Sequence, residues 1–567
     1  MESNSRAVLI RCNELKQFWA PRNKRMQQWY KLIQMVDELK TDKMESFVGN
    51  DPRSMYNLVL HMLDTKIPYR LKIYDLGDYK LANASAEVSR LLDLAWNDVE
   101  DQFRHTGPRQ DLKRAIIGLL LATGWYSIFS IVKDDGSGWY IDVWNPAEVY
   151  PMWDSDMGLS ETAHIFPVSA TRARMLAKHN NWKLDIVSGT REVQVYDYWW
   201  LEMSNEYPYR NIVWNAIVVG GTLVKFLPTR FYKIPIYVAP VGGLPDTGPL
   251  SEQPSNNSVT ASDRWKEEIG QSILATNEHI YRTWNKWWTF SMQLLRDTAQ
   301  PRVLEKSRSG KAIVRPEDVF RRGAIFRGGP EDSVEFLSTP PMPLELRSTQ
   351  LDLEAMMQRG GVSWAMYGSL TGQLSAYVMS QISSSANQPM RPFQKALQNL
   401  YADIGNDGLD DIRDRGVHPY GWSIPEGLPS DAKVSADFEV EIPGDLVQRA
   451  TVARMLDPDF RLPFSYVLQK LFPEIKSPMQ TIAQIRADKA ELHPTNSLIA
   501  LIVYYRKQAL ELEDAGDIES AKLYRLAAQA TEMELEQVGS SNRTQEPRQI
   551  GPRPEGGTPP TPAPGVY

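Results

Sequence analysis

The chain has 567 residues, 42% hydrophobic and 23% charged, enough to bury several cores, so a globular protein of two to four domains is expected rather than a disordered one. A formal net charge of −7 and a pI near 5.7 exclude a global positive field for nucleic acid or an anionic membrane, so any such contact must be local. One cysteine, Cys12, excludes an internal disulfide framework and cysteine-based zinc or iron–sulfur sites within one chain and fits a reducing compartment. The histidines, at His61, His105, His164, His179, His279, His418 and His493, show no ligand-like spacing.

The N-terminus lacks the apolar core and cleavage site of a secretory signal. Asn13 to Lys40 has near-helical apolar spacing, with Pro21 limiting the start of an amphipathic helix. Asp51 to Ser54 reads as a turn and cap before apolar Met55 to Leu63, and Ala84 to Phe103 as another helix. Ala115 to Val132 is 18 uncharged residues between Arg114 and Lys133, long enough to span a bilayer, yet its second half turns aromatic and β-branched. A buried helix feeding a buried strand explains it better. Trp125 to Val132, the turn Asp134 to Gly138 and Trp139 to Trp144 read as strand, turn, strand, and further β-type runs follow at Glu192–Trp200, Asn211–Val219 and Thr222–Phe226. Residues 125 to 240 therefore predict a mixed domain with an antiparallel sheet.

Pro240 to Asn257 is a Gly, Pro, Ser and Asn loop. Beyond it one long helix is expected, capped by Ser262 or Asp263 and running to about Asp297, with Trp265, Ile269, Ile273, Ile280, Trp284, Trp287 and Leu294 along one stripe. At 1.5 Å per residue it would reach roughly 50 Å, the length of a strut. Pro301 to Pro343 is a short-period, basic insertion, and Leu344 to Gln358 returns as a helix broken by Gly360 and Gly361. Val362 to Gln388 reads as a flexible loop, Gln394–Tyr401 as a helix and Lys433–Ile442 as a strand. Ser497 to Asp514 and Ile518 to Gln537 form a helical hairpin, whose Ala509, Gly516 and Ala521 suit one tetratricopeptide-type unit but not a solenoid. Ser541 to Tyr567, rich in Pro and Gly, is expected to be a disordered tail.

Familiar catalytic signatures are missing. Ser309 to Ala312 lacks the upstream glycine and hydroxyl of a phosphate loop, and no GxSxG, HExxH or GxGxxG motif occurs. Asp154, Asp156 and Glu161 form a compact acidic group, which reads more simply as a solvated turn after Pro151 than as a hard-cation site. Residues 301 to 330 carry eight Lys or Arg against three Asp or Glu, enough for phosphate contact if they share a face. Trp284, Trp287 and Trp288 beside Arg282 and Lys286 could stack on bases, but on a long helix packing against neighbouring helices is the plainer use.

The order of these parts resembles the portal protein of tailed bacteriophages over nearly the whole chain. The residues that carry the resemblance are the Asp111–Val132 passage with Thr123, Gly124 and Trp125, the corner from Tyr140 to Pro146 followed by Val149 to Pro151, and the stretch from Gly360, Gly361, Val362 and Ser363 to Gly372, Gln373, Leu374 and Ser375. What the resemblance implies is an α+β portal fold: an N-terminal helical segment on 1–49, a mixed α/β wing on 50–255 and 390–445, a stem hairpin on 262–300 and 344–359, a small α/β clip on 301–343, a tunnel loop within 360–388 and a helical crown on 446–540 before the 541–567 tail. It further implies no enzyme activity, no cofactor, no metal and no membrane. The expected assembly is a homo-oligomeric ring, usually of twelve subunits, at one capsid vertex of a virion assembled in the host cytoplasm. Double-stranded DNA would pass through its channel during packaging and ejection. The implied partners are the major capsid protein, the scaffolding protein, the large terminase subunit and a head–tail adaptor.

Residue by residue, the clip candidates for partner or DNA contact are Arg302, Lys306, Arg308, Lys311, Arg315, Arg321, Arg322 and Arg327. The tunnel-loop candidates are Gly368, Ser369, Thr371, Gly372, Gln373 and Ser375, and the stem-packing residues are Trp265, Ile269, Ile273, Ile280, Trp284 and Trp287. Two other readings compete: a metal-dependent nucleic-acid-processing enzyme using Asp154, Asp156 and Glu161, and a membrane-associated assembly factor using Ala115–Val132.

Overall fold

The computed structural model describes residues 4–41, 46–65, 69–72, 79–106, 111–184, 190–203, 211–244, 261–299, most of 302–337, 345–362, 388–425, 428–437, 481–485, 494–514 and 517–541. The described chain is mixed α+β with antiparallel sheets, divided into two units, Met1–Thr451 and Val452–Tyr567.

The N-terminal region is two helices rather than one. Helix α1 (Ser5–Phe18) starts where the Asn4 side chain accepts the Arg6 amide, and it buries Val8, Cys12 and Leu15 at helical spacing. Trp19 interrupts it, and Pro21 sits in the first turn of α2 (Ala20–Ile33), where a missing amide hydrogen costs nothing. The expected start at Asn13 fails because Pro21 opens the second helix instead of limiting a single one. Helices α3 (Asp51–Leu63), α4 (Tyr79–His105) and α5 (Leu112–Thr123) follow, with the short strand β1 (Tyr69–Lys72) between the first two. In α5 the side chains of Ile116, Ile117, Leu120 and Leu121 are all essentially inaccessible, each worth about 1.5–3 kcal/mol of burial.

The 18-residue apolar run is thus half helix and half strand: Gly124, at φ +72°, ends α5 and β2 (Trp125–Val132) begins at once. Among the described residues no helix is long and apolar enough to cross a membrane. Strand β2 pairs antiparallel with β3 (Trp139–Val143) on one side and with β9 (Ile236–Pro240) on the other. Between them in sequence lies a five-stranded antiparallel meander: β4 (Val149–Asp154), β5 (Gly158–Ser169), β6 (Glu192–Met203), β7 (Asn211–Val219) and β8 (Thr222–Pro228), with helix α6 (Ala170–His179) inserted after β5. The β4–β5 pair and α6 are not foreseen from sequence.

Period-two alternation sorts the meander's faces. Ala163, Ile165, Tyr198 and Trp200 pack with Val8, Cys12 and Leu15 of α1 in one cluster. On the opposite face His164 lies 4.0 Å from the Trp144 ring and 4.3 Å from Phe166, and Phe129 of β2 meets Trp199 at 5.9 Å, which joins the two sheets. A second core gathers α3, α4, α5 and α10 (Arg391–Arg415), whose Phe393, Leu397, Leu400, Tyr401 and Ile404 are buried. Strand β12 (Lys433–Ala436) closes this region by pairing with β1, Leu71 opposite Val434. The expected strand reached Ile442, and residues 438–442 lie outside those described.

The second unit contains α11 (Pro494–Asp514) and α12 (Ile518–Ser541). Buried Ala509, Ala521 and Ala528 let the two helices approach closely, and the Asp517 carboxylate accepts from the Ser520 hydroxyl and from the Ser520 amide at 3.2 Å, which together hold its carboxyl below the ordinary range. Ion pairs Arg506–Glu532 and Arg525–Glu513 link the helices across their exposed edges.

Candidate functional site: the helical hairpin and the basic insertion

The single strut expected from Ser262 or Asp263 to Asp297 is broken. Helix α7 (Ala261–Glu268) stops, residues 269–277 run irregularly, and α8 (Glu278–Ala299) begins afresh. The cause is docking onto the α5–β2 corner. Gly270 takes φ +75° directly against the Trp125 indole, where a Cβ would lie 2.3 Å from Nε1. Ile273 donates its amide to the Leu121 carbonyl at 3.1 Å, and the Ser272 hydroxyl donates to the same carbonyl at 2.8 Å. The 22 residues of α8 span about 33 Å rather than 50 Å.

The six stem-packing candidates therefore separate. Trp265 sits 6.0 Å from Trp19 and 6.1 Å from Phe18, the Ile269 carbonyl accepts Trp125 Nε1 at 3.2 Å, and Ile273 is buried in the core with α5; these three belong to the corner, not to the strut. Ile280, Trp284 and Trp287 are on α8. Trp284 stacks on Trp287 at 6.0 Å and meets Trp288 edge-on at 5.7 Å. Residues 46–50 run beside this cluster: the Phe47 amide donates to Thr289 Oγ1 at 3.0 Å, the Gly49 amide to Asn285 Oδ1 at 2.9 Å, and the Phe47 ring lies 5.6 Å from Trp288. These contacts pack the tryptophans of α8 against one another and against residues 46–50.

The base of α8 is fixed by residues that sequence patterning does not single out. Glu278 is fully buried, accepts Trp29 Nε1 at 2.9 Å, and pairs with Arg25 at 3.1 Å and Arg282 at 3.3 Å. The i, i+4 spacing of Glu278 and Arg282 is visible in sequence, but Arg25 and Trp29 are some 250 residues away and are not. The same α2 helix reaches the meander: the Arg22 guanidinium lies 4.8 Å from Trp19 and 4.7 Å from Trp125 and donates to the Val149 and Pro146 carbonyls, while Trp19 Nε1 donates to the Pro151 carbonyl at 2.7 Å. Burial works against the Arg22 charge and pulls its pKa down, and the carbonyls with the indole faces offset that cost.

Helix α9 (Glu345–Arg359) returns and packs on α8. Its end is shaped by Asn277, which donates from Nδ2 to the Met357 carbonyl at 2.8 Å and occupies the place a Cβ on Gly360 would need, 2.0 Å away. Large apolar side chains stay exposed on both helices: Phe290 and Leu295 on α8, Leu351 and Met356 on α9. The tunnel-loop candidates Gly368, Ser369, Thr371, Gly372, Gln373 and Ser375 lie outside the described residues.

Between the two helices, β10 (Val303–Lys306) pairs antiparallel with β11 (Ser333–Phe336). Over 301–343 the charge balance is eight Lys or Arg against six Asp or Glu, because Glu331, Asp332 and Glu335 follow the basic run. Two of those carboxylates face it: Lys306 pairs with Glu335 at 3.1 Å and Arg308 with Glu331 at 2.8 Å. Glu305 accepts the Val314 amide at 3.0 Å and so serves the loop. Arg302, Lys311, Arg315 and Arg327 are exposed, and Arg321 and Arg322 lie outside the described residues. The basic run is therefore partly neutralised by its own domain.

The acidic trio does not converge. Asp154 accepts the Asp156 amide at 2.9 Å in the β4–β5 turn, whereas Glu161 is drawn onto Arg11 of α1 and the Tyr198 hydroxyl. Burial raises the Glu161 pKa, but Arg11 and Tyr198 outweigh it and hold the carboxyl below its ordinary range. Among the described residues no group of three His, Cys, Asp or Glu is placed to hold a metal ion.

No family model matches the sequence, and no curated protein matches it either. Solved structures similar to it include the neck of an empty gene transfer agent particle computed with sixfold symmetry, at 14% identity and TM-score 0.36 over 74% of this chain and 88% of that one. The neck of the native particle computed with twelvefold symmetry gives 12% identity and TM-score 0.32 over 74% and 99%. The virion of the native particle gives 12% and 0.33 over 74% and 98%. Scores at this level do not establish a shared fold.

Proposed function

We propose that this chain is a portal-type ring subunit of a tailed-phage-like particle. The observation that carries the reading is the α8–insertion–α9 hairpin. Two helices leave a mixed α/β body, enclose a small antiparallel unit, and keep Phe290, Leu295, Leu351 and Met356 exposed, a set of apolar groups that a single chain leaves to water. A closed ring of identical subunits covers such groups without leaving an open end. In this reading the ring, of about twelve subunits as the family resemblance implies, sits at one capsid vertex and serves as a passive channel for double-stranded DNA. The exposed Arg302, Lys311, Arg315 and Arg327 of the insertion would meet terminase during packaging and an adaptor afterwards; the wing would meet capsid and scaffolding protein. No catalysis is assigned to the chain.

The test is the mass and symmetry of the purified protein, by light scattering after size exclusion with negative-stain images of the same peak. Rings with a central hole are expected. Monomers that stay monomeric at high concentration and with scaffolding protein added would refute the reading.

A further inference from the structure

The chain is acidic overall, yet residues 170–191 hold five Lys or Arg against one Asp. This segment includes α6, whose Ala170, Ala173 and Ala177 are buried; Ala170 and Ala173 pack with Val168, Val193, Val195 and Val219 of the meander. Small residues on the back let the helix lie close to the sheet and leave its whole outer face to solvent. At about 100° per residue, Met175 falls opposite the alanines, with Arg172 and His179 on one side of it and Arg174 and Lys178 on the other. All five are exposed, Met175 by 68%. Lys183 and Arg191 are exposed too, and the Arg191 carbonyl accepts the Ala170 amide, which sets Arg191 beside the helix start. Among the described residues none of the five Lys and Arg side chains is in an ion pair, in contrast to Lys306 and Arg308 of the insertion.

We infer that the outer face of α6 binds the backbone of duplex DNA, lying along the major groove. A helix about 10–12 Å across matches a groove about 12 Å wide, and cations on both flanks face the two phosphate rows that border it. Met175 at the apex then meets base edges through apolar contact, for which the thymine methyl is the matching partner. Single-stranded nucleic acid fits less well, because the nearby Trp182 is half-buried against the sheet rather than offered for stacking. An anionic bilayer fits less well, because Met175 and Leu176 are too small an apolar face for an interfacial helix. This surface lies on the meander and is independent of the ring reading; a ring would multiply its affinity by presenting many copies at once.

The experiment is fluorescence anisotropy of a labelled duplex of about 30 base pairs with the full chain, titrated in salt. Four phosphate contacts predict a slope of log K against log salt of about −3.6, a loss of roughly 100-fold between 50 and 200 mM. The variant R172Q/R174Q/K178Q should lose at least about tenfold in affinity and flatten the slope by about 2.7. R172K/R174K, which keeps the charge, should retain binding, and R308Q/K311Q in the insertion should leave it within about twofold. A wild-type chain without salt-dependent duplex binding, a triple glutamine variant that binds as wild type, or loss of binding through R308Q/K311Q alone would overturn the inference. So would preference for poly-glutamate or for phosphatidylserine vesicles over duplex DNA, which would assign the face to an acidic protein or a membrane.

Discussion

Replacing Glu278 tests whether α2 fixes the base of α8. The carboxylate is fully buried, with one indole donor at 2.9 Å and two guanidinium partners at 3.1 and 3.3 Å. Removing one member of a buried ion pair costs about 3–5 kcal/mol when the remaining charge is sealed off. Here the side chains of Arg25 and Arg282 keep 24% and 28% of their exposure and can recover some hydration, so about 2–4 kcal/mol is expected for Glu278→Ala. Glu278→Gln keeps an acceptor for Trp29 and loses the charge, so it should cost about half as much. Because the chain has two units, a global unfolding midpoint is a poor reporter, and amide hydrogen exchange in α2 and the first turns of α8 is the better assay. A loss of 2–4 kcal/mol in local opening free energy speeds exchange there by about 30- to 700-fold, with α12 unchanged. Exchange within about twofold of wild type in both variants would mean that α8 is held by its tryptophans and by residues 46–50, and the anchoring argument would fail.

Other perturbations probe separate links. Gly124→Ala forces a side chain into φ +72° and 2.4 Å from the Gln271 backbone carbonyl carbon, and should destabilise the α5–β2 corner by about 3 kcal/mol or more, read as a large drop in the melting temperature of the first unit. Leu295→Glu with Leu351→Glu should prevent ring formation while leaving circular dichroism unchanged; rings of normal mass would remove these residues from the proposed subunit contact. The folded pKa of Glu161 is depressed, so its stabilising effect is fully present above its unfolded value near 4.5 and is lost as pH falls through the lower folded value. Wild type should therefore lose more stability than Glu161→Gln on acidification below about pH 4.5, measured as protease sensitivity of α1, and parallel curves would contradict the Arg11–Glu161–Tyr198 link.

Legibility from sequence follows the range of the interactions involved. Strand Asn211–Val219, the helical hairpin of the second unit and the helix-to-strand change within Ala115–Val132 are written in local periodicity and are read directly. The β4–β5 pair hides because Pro151 and the acidic turn at Asp154 suggest a loop; Pro151 is tolerated because β4 is an edge strand, whose Val149 and Pro151 carbonyls are taken by Arg22 and Trp19. The break between α7 and α8 hides for a different reason. Trp265, Ile269 and Ile273 keep helical spacing, so periodicity argues for continuity, while the decisive events are the close approach of Gly270 to Trp125 and the bonds to Leu121. A tertiary contact overrides a local pattern there. In the insertion the basic run is plain, but its neutralisation depends on the β10–β11 register, which sets Lys306 opposite Ser333 and within reach of Glu335.

These contacts give α2 a role that no single motif reveals. One face of this helix carries Arg22, Arg25 and Trp29 at spacings of three and four residues. Arg22 holds the edge of the meander, and Arg25 and Trp29 hold the first residue of α8. A rigid helix that grips both elements couples the direction of the α8–α9 hairpin to the position of the sheet. In a ring this matters, because the hairpins can close around an axis only if every copy leaves its body at the same angle. Buried charges suit this coupling, since moving either element strands an arginine or a glutamate without its partners. The angle is then specified by the cost of leaving it, in a way that apolar packing alone would not enforce.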